Sequence, residues 1–251
     1  TFDFSYVPEL DYISNIIEKF KNHPSIKKIK TNVIFTERFQ FEVISESTMH
    51  DIINALDKKK PTTFNNIPTW VLKENKDIIT PVIIEMYNES SQDSIFPDSL
   101  KLADITPVYK KDDRTKKDKY RPISILPPMS KTFEKNMYNQ ISSYIDKFLS
   151  PYLCGFRKGL STQYCLSVMI DRWQKAIDNG KIAGALLTDL SKAFDCINHE
   201  LLIAKLEAYG FSKSSLEYIY SYLSGRKQRT KVNDSFSYWC NMLFGVPRGQ
   251  S

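Results

Sequence analysis

Apolar residues along the 251-residue chain recur with two periods, and the switches between them mark its elements. Ile13, Ile16, Ile17 and Phe20 share one face at helical spacing and predict a helix over residues 8–22; "STMHDIINALDKK" predicts another. "NHPS" and "KKKPTTFNNIP" break that rhythm with proline and asparagine and read as loops. "LADITPVYK" predicts a short strand edged by Pro107, and the prolines of "RPISILPP" exclude a helix and favour extended chain. The helical period returns at Phe133, Met137, Ile141, Tyr144, Ile145 and Phe148. After "LSPYLCGFRKGLST" a second long helix is expected to turn Cys165, Met169, Trp173, Ala176 and Ile177 inward, capped by Ser161 or Thr162.

"IAGALLTDL" is apolar without alternation, the pattern of a strand buried on both faces. Asn198 is placed to cap the next helix, with Glu200 in its positively polarised first turn. Leu202, Leu206 and Tyr209 belong to that helix, which ends at Gly210, and Leu216, Ile219, Tyr220 and Leu223 to another. "KQRTKVNDSFSYWCNMLF" predicts a hairpin turning at Asn233-Asp234. The fold class these elements predict is α+β, with a mixed or antiparallel central sheet flanked by helices. Residues 1–44 read as a lead-in or linker.

Composition adds few constraints: 41% hydrophobic and 25% charged residues suit a packed interior, and only 8 glycines argue against a glycine-rich nucleotide loop. Charge is more telling. "KKDDRTKKDKYR" (110–121) holds seven basic and three acidic residues, and "RKQRTK" (226–231) four basic and none acidic, together more than the whole chain's net +6. Charge gathered in this way suits a polyanion, although either stretch alone also reads as a solvated loop. Four cysteines form no C-x-x-C pair, and with 3 histidines they point to neither a zinc site nor a disulfide framework. An intracellular setting is the natural expectation, nucleus and cytoplasm being indistinguishable. No apolar run is long enough to span a bilayer, so no membrane is expected. The chain begins at Thr1 without methionine and is expected to be a piece of a longer protein.

Asp189 closes the "IAGALLTDL" run. A carboxylate there is a helix cap, a metal ligand or a solvent-exposed strand end, and Asn198 already supplies the cap. Burial of a carboxylate is costly without a partner or a cation, and hard cations such as Mg²⁺ take such oxygens together with substrate phosphates.

The surrounding text favours the metal. "LLTDLSKAFDCINHELLIAKLEAYG" resembles the first conserved motif of reverse transcriptases. "FPDSLKLADITPVYKKDDRTKKDKYRPISILPPMSKTFEK", "CGFRKGLSTQ", "SYLSGRKQRTKVN" and "GVPRGQ" flank it in the order and spacing of the non-LTR (LINE-type) retrotransposon enzymes. "LDKKKPTTFNNIPTWVLK" fits that family's entry segment, so the resemblance covers about residues 45–251. It implies the fingers and part of the palm of a right-hand polymerase. It also implies RNA-directed DNA polymerisation, in which a DNA primer 3′-hydroxyl joins the α-phosphate of a dNTP on an RNA template and pyrophosphate leaves.

Carried over position by position, the resemblance makes Asp189 the catalytic metal ligand, assisted by the Leu190 carbonyl, at a centre for two Mg²⁺ ions about 3.5–4 Å apart. Phe194 becomes the ring beneath the nucleotide sugar that excludes a 2′-hydroxyl, although its residue type alone also fits a core position. Asp195 has no assigned chemistry beyond local hydrogen bonds. Arg121, with Lys110 or Lys111, is implied to clamp the triphosphate, a task suited to a forked guanidinium. Arg157 and Lys158 are implied to touch the template backbone, and Arg226, Lys227, Arg229 and Lys231 to track nucleic acid along a strand face.

Two departures stand out. "GVPRGQS" replaces the family's G-V-P-Q-G-S, with Arg248 where glutamine is expected and Gln250 two positions late. The Y-x-D-D motif and the thumb do not precede Ser251, so no polymerase activity is expected of the chain alone. The alternative function is a non-catalytic nucleic-acid-binding remnant or a reused binding domain.

Overall fold

The computed structural model describes residues 12–63, 67–190 and 192–247. They form two compact units, residues 142–192 and the remainder of the chain.

The larger unit opens with α1 (Tyr12–Phe20) and α2 (Pro24–Asn32). The prolyl residue that suggested a loop in "NHPS" starts α2, because Pro24 at the first helical position needs no N–H partner. Both pack on the helix His199–Ala208, and Ile13, Ile16 and Ile26 are buried. Ser45 caps α3 (Glu46–Ala55) by accepting the Thr48 N–H. Short α4 (Thr69–Glu74) follows, then α5 (Lys76–Gln92), which the sequence pattern did not signal and which tolerates Pro81 in its second turn on an exposed face.

β1 (Leu102–Tyr109) and β2 (Tyr120–Ile125) form an antiparallel hairpin, and α6 (Pro128–Ile145) leaves it. Pro107 faces Pro122 in the register. The Lys110 N–H donates to the Lys119 carbonyl at 2.9 Å, so pairs of that parity carry the ladder bonds and the two prolines fall on a non-bonded pair. Neither interrupts the sheet.

α8 (His199–Ala208) has the expected Asn198 cap, whose Oδ1 accepts the Leu201 N–H at 2.9 Å, and α9 (Lys213–Leu223) is capped by Ser212. β3 (Lys227–Val232) runs parallel to β1 and antiparallel to β4 (Ser235–Phe236) and β5 (Cys240–Asn241). Asn233, at φ 53°, makes the predicted hairpin turn. The sheet is therefore mixed, ordered β2-β1-β3-β4 with β5 also on β3, and the α+β class holds. Tyr87, Phe96, Phe133 and Tyr218 are fully buried and meet mostly edge to face, as aromatic quadrupoles prefer.

The smaller unit holds α7 (Thr162–Asp178), capped by Ser161. No α7 residue is buried, so the expected inward face is a half-exposed stripe, with Trp173 and Ile177 open to solvent. Residues 181–190 form no strand, and Ile182, Leu186, Leu187 and Leu190 are exposed, against the expectation of a doubly buried strand. A strand exists through its ladder, and none of β1–β5 pairs with this run. Among the described residues no helix is long and apolar enough to cross a membrane.

Candidate functional site

The basic loop at 110–119 is the tip of the β1–β2 hairpin, and part of its charge is spent on its own shape. Lys119 bonds Asp112 at 3.3 Å and lies 3.6 Å from Asp118; Asp112 first, then Asp118, raises its pKa. Hydrogen bonds from the Thr115 hydroxyl and N–H hold the Asp113 carboxyl below its usual range. The Arg114 guanidinium covers the Tyr109 ring, which itself leans on Tyr120. Lys110, Lys111 and Arg121 are exposed, and among the described residues no carboxylate pairs with them. By alternation and register, Lys110 and Arg121 share one face of the hairpin.

The basic run 226–231 is divided among different surroundings. Arg226 is 2% exposed, so it does not join the strand-face cluster that the sequence pattern gave it to. Its Nη1 donates to the Tyr222 carbonyl at 3.1 Å, its plane covers the Tyr222 ring, and Nη2 lies 3.7 Å from Glu134 Oε1. Burial raises the Glu134 pKa, against the pull of Arg226. Lys101 is equally buried, bonds Asp98 at 2.7 Å and is shifted down by burial. Arg229 is also committed: its Nε meets buried Asp104 at 2.7 Å and its plane lies over Phe236 and Trp239. Lys227 is exposed and Lys231 half-exposed on the same face as Arg229.

Phe194 and Asp195 lie just before α8, against the segment 245–247. The Val246 N–H donates to the Phe194 carbonyl at 3.0 Å, and the Gly245 N–H to the Ile197 carbonyl at 2.8 Å. Phe194 is 44% exposed, so its ring is not core. Asp195 lines a groove of about 520 Å³ over one sheet face, with Ile105, Pro122, Ser124, Gln228 and Thr230 below and Phe244 and Val246 beside it. These sheet residues share a parity opposite to that of Arg121 and Arg229, so the groove carries no basic side chain and those two cations stand on the other face. Gln250 and Arg248 lie outside the described residues.

In the smaller unit Asp189 is exposed in irregular chain, followed by exposed Leu190. Arg157 grips Asp146 with Nε at 2.8 Å and Nη2 at 3.1 Å, and donates to the Ser150 carbonyl at 3.2 Å. Those bonds draw the Asp146 carboxyl down and the Arg157 guanidinium up. Arg157 thus closes its own loop, while Lys158 is exposed. Among the described residues no three His, Cys, Asp or Glu side chains gather to hold a metal ion. A pair of divalent cations needs more than one carboxylate, so these residues do not by themselves house one.

The sequence assigns no role to His199, which is buried and 2.6 Å from the Gly245 carbonyl, or to Tyr12, which donates to Glu200 at 3.0 Å.

The chain belongs to the reverse transcriptase (RNA-dependent DNA polymerase) family, whose model matches residues 108–250, more than half of its length. It is 28% identical over 202 residues to the probable RNA-directed DNA polymerase from transposon BS of Drosophila melanogaster, covering 79% of this chain and 22% of that protein. It is 31% identical over 164 residues to the probable RNA-directed DNA polymerase from transposon X-element of the same species, covering 61% and 17%. Against the RNA-directed DNA polymerase from mobile element jockey of Drosophila funebris the identity is 25% over 211 residues, covering 80% and 23%. The resemblance to the non-LTR retrotransposon enzymes is borne out by these relatives. The chain spans about a fifth of their length.

Proposed function

We propose that the protein carrying this chain is an RNA-directed DNA polymerase of a non-LTR retrotransposon, extending a DNA primer with dNTPs on an RNA template. The observation that carries the reading is the match of residues 108–250 to the family, a range that includes Asp189 and Phe194. In this reading the chain forms fingers and part of the palm. Asp189 and the Leu190 carbonyl contribute to a Mg²⁺ site whose other carboxylates come from outside the described residues. Bound there, Mg²⁺ would neutralise phosphate charge.

The chain's own residues do the rest. Arg121, with Lys110 and Lys111, holds the triphosphate from a hairpin already stiffened by Tyr109, Tyr120 and Lys119. Exposed charges with no carboxylate beside them are open to phosphate. Phe194 offers its ring to the sugar and leaves no room for a 2′-hydroxyl. Lys158, Lys227 and Lys231 contact nucleic-acid backbone, whereas Arg157, Arg226 and Arg229 shape the surfaces that carry them.

The test is RNA-templated dNTP incorporation by the chain extended to its relatives' length. Loss of activity in Asp189→Asn is expected; activity that survives it overturns the Asp189 assignment. In the same enzyme Phe194→Ala should admit ribonucleotides.

The exposed Lys110, Lys111 and Arg121 also favour a second reading, a nucleic-acid-binding domain without catalysis. Salt-dependent RNA binding with no incorporation in the extended chain would select it.

A further inference from the structure

We infer that His199 is a positioning residue: it latches the 245–247 turn onto the 194–197 stretch and thereby fixes Phe194 for sugar recognition. The last clause rests on the reading of Phe194 given above; the latch itself does not.

Gly245 is the pivot. Its φ is +81°, and a Cβ there would come within 2.6 Å of the Phe194 carbonyl oxygen and 2.9 Å of the Asp195 Cα. Only glycine allows the two backbones to approach so closely. Three hydrogen bonds then close the contact: Gly245 N–H to the Ile197 carbonyl at 2.8 Å, Val246 N–H to the Phe194 carbonyl at 3.0 Å, and His199 Nε2 to the Gly245 carbonyl at 2.6 Å. A carbonyl only accepts, so Nε2 carries the proton. The first two bonds are backbone and independent of side-chain identity; the third is the one the sequence chooses.

His199 is held on its own account. It is buried in the first turn of α8, between capping Asn198 and Glu200, and Glu200 accepts from Tyr12 at 3.0 Å and Lys19 at 2.6 Å. The imidazole therefore reaches Gly245 from a fixed base. Removing it leaves the Gly245 carbonyl without its side-chain donor, and the peptide whose N–H bonds the Phe194 carbonyl is then free to rock. Because that N–H holds the Phe194 carbonyl, the Phe194 backbone, and with it the base of the ring, is released together with the turn.

The experiment compares His199→Leu, which removes the donor, with His199→Gln, whose amide keeps one. Amide hydrogen exchange at Gly245 and Val246, read by NMR in this chain, should quicken about five- to tenfold in the leucine variant, the factor one net hydrogen bond represents, and stay near the parent rate in the glutamine variant. If leucine unfolds the chain, His199→Asn, whose amide is too short to reach, takes its place. In the extended enzyme the leucine variant should lose about fivefold in dNTP-over-rNTP preference, carried by KM, with glutamine restoring it. Unchanged exchange overturns the latch. Faster exchange with unchanged preference overturns its coupling to the sugar, provided that Phe194→Ala does alter preference. If Phe194→Ala alters nothing, the reading of Phe194 fails and the latch stands on the exchange data.

Discussion

Arg226 and Glu134 meet inside the larger unit, Nη2 to Oε1 at 3.7 Å, with the Tyr222 hydroxyl donating to the same Oε1 at 3.1 Å. A strand-end arginine in a basic run thus serves the interior. Its Nε and Nη2 have no hydrogen-bond partner among the described residues, so the Coulombic attraction of Glu134 and the Tyr222 ring offset its desolvation.

Arg226→Met should therefore destabilise the chain by about 3 kcal/mol, because a half-buried carboxylate is left without its cation. Urea titration measures it. Adding Glu134→Gln should recover part of the loss, a coupling that two independent surface charges would not show.

Alanine at Lys110, Lys111 and Arg121 should leave stability within about 0.5 kcal/mol of the parent, since all three are exposed. RNA affinity should fall, and the slope of log K against log salt should shrink by about 0.7 for each phosphate contact removed. An unchanged slope would remove the hairpin from the nucleic-acid surface.

Glu200 carries a pH prediction. The Lys19 hydrogen bond, followed by that from Tyr12, depresses its pKa. A depressed carboxylate stabilises fully above its unfolded value and loses that contribution as pH falls through the folded one. Docking of α1 on α8 should weaken on acidification below about pH 4.3, and Glu200→Gln should flatten that acid limb of a Tm-versus-pH curve.

Arg157→Lys should loosen residues 146–157, because an ammonium cannot reproduce the two-point grip on Asp146. Limited proteolysis of that loop reads the change. An unaltered cleavage pattern accompanied by weaker RNA binding would return Arg157 to the template.

Much of the local structure was legible in the chain itself. Asn198 and Ser161 cap where capping chemistry places them, Asn233 turns the hairpin, and the prolines of β1 and β2 leave strand structure intact. These outcomes depend on a few neighbouring atoms. The family, too, was readable, because its motifs are strings of residues in fixed order. The second turn of α5 hid behind Pro81, and α2 behind a proline that starts a helix as readily as it ends one.

The tertiary structure alone decided which charges stay in water. Arg226, Lys227, Arg229 and Lys231 read as one basic run, yet one is buried and another is paired with Asp104, since alternation and the neighbouring strand set each side chain's surroundings. It also decided that "IAGALLTDL" is not a strand here, because apolar character supplies a face but ladder partners must come from other segments. Gly245 and His199 meet across 46 residues of sequence separation. Local pattern carries no record of such a meeting: the close approach of two backbones depends on how the intervening helices and strands fold back.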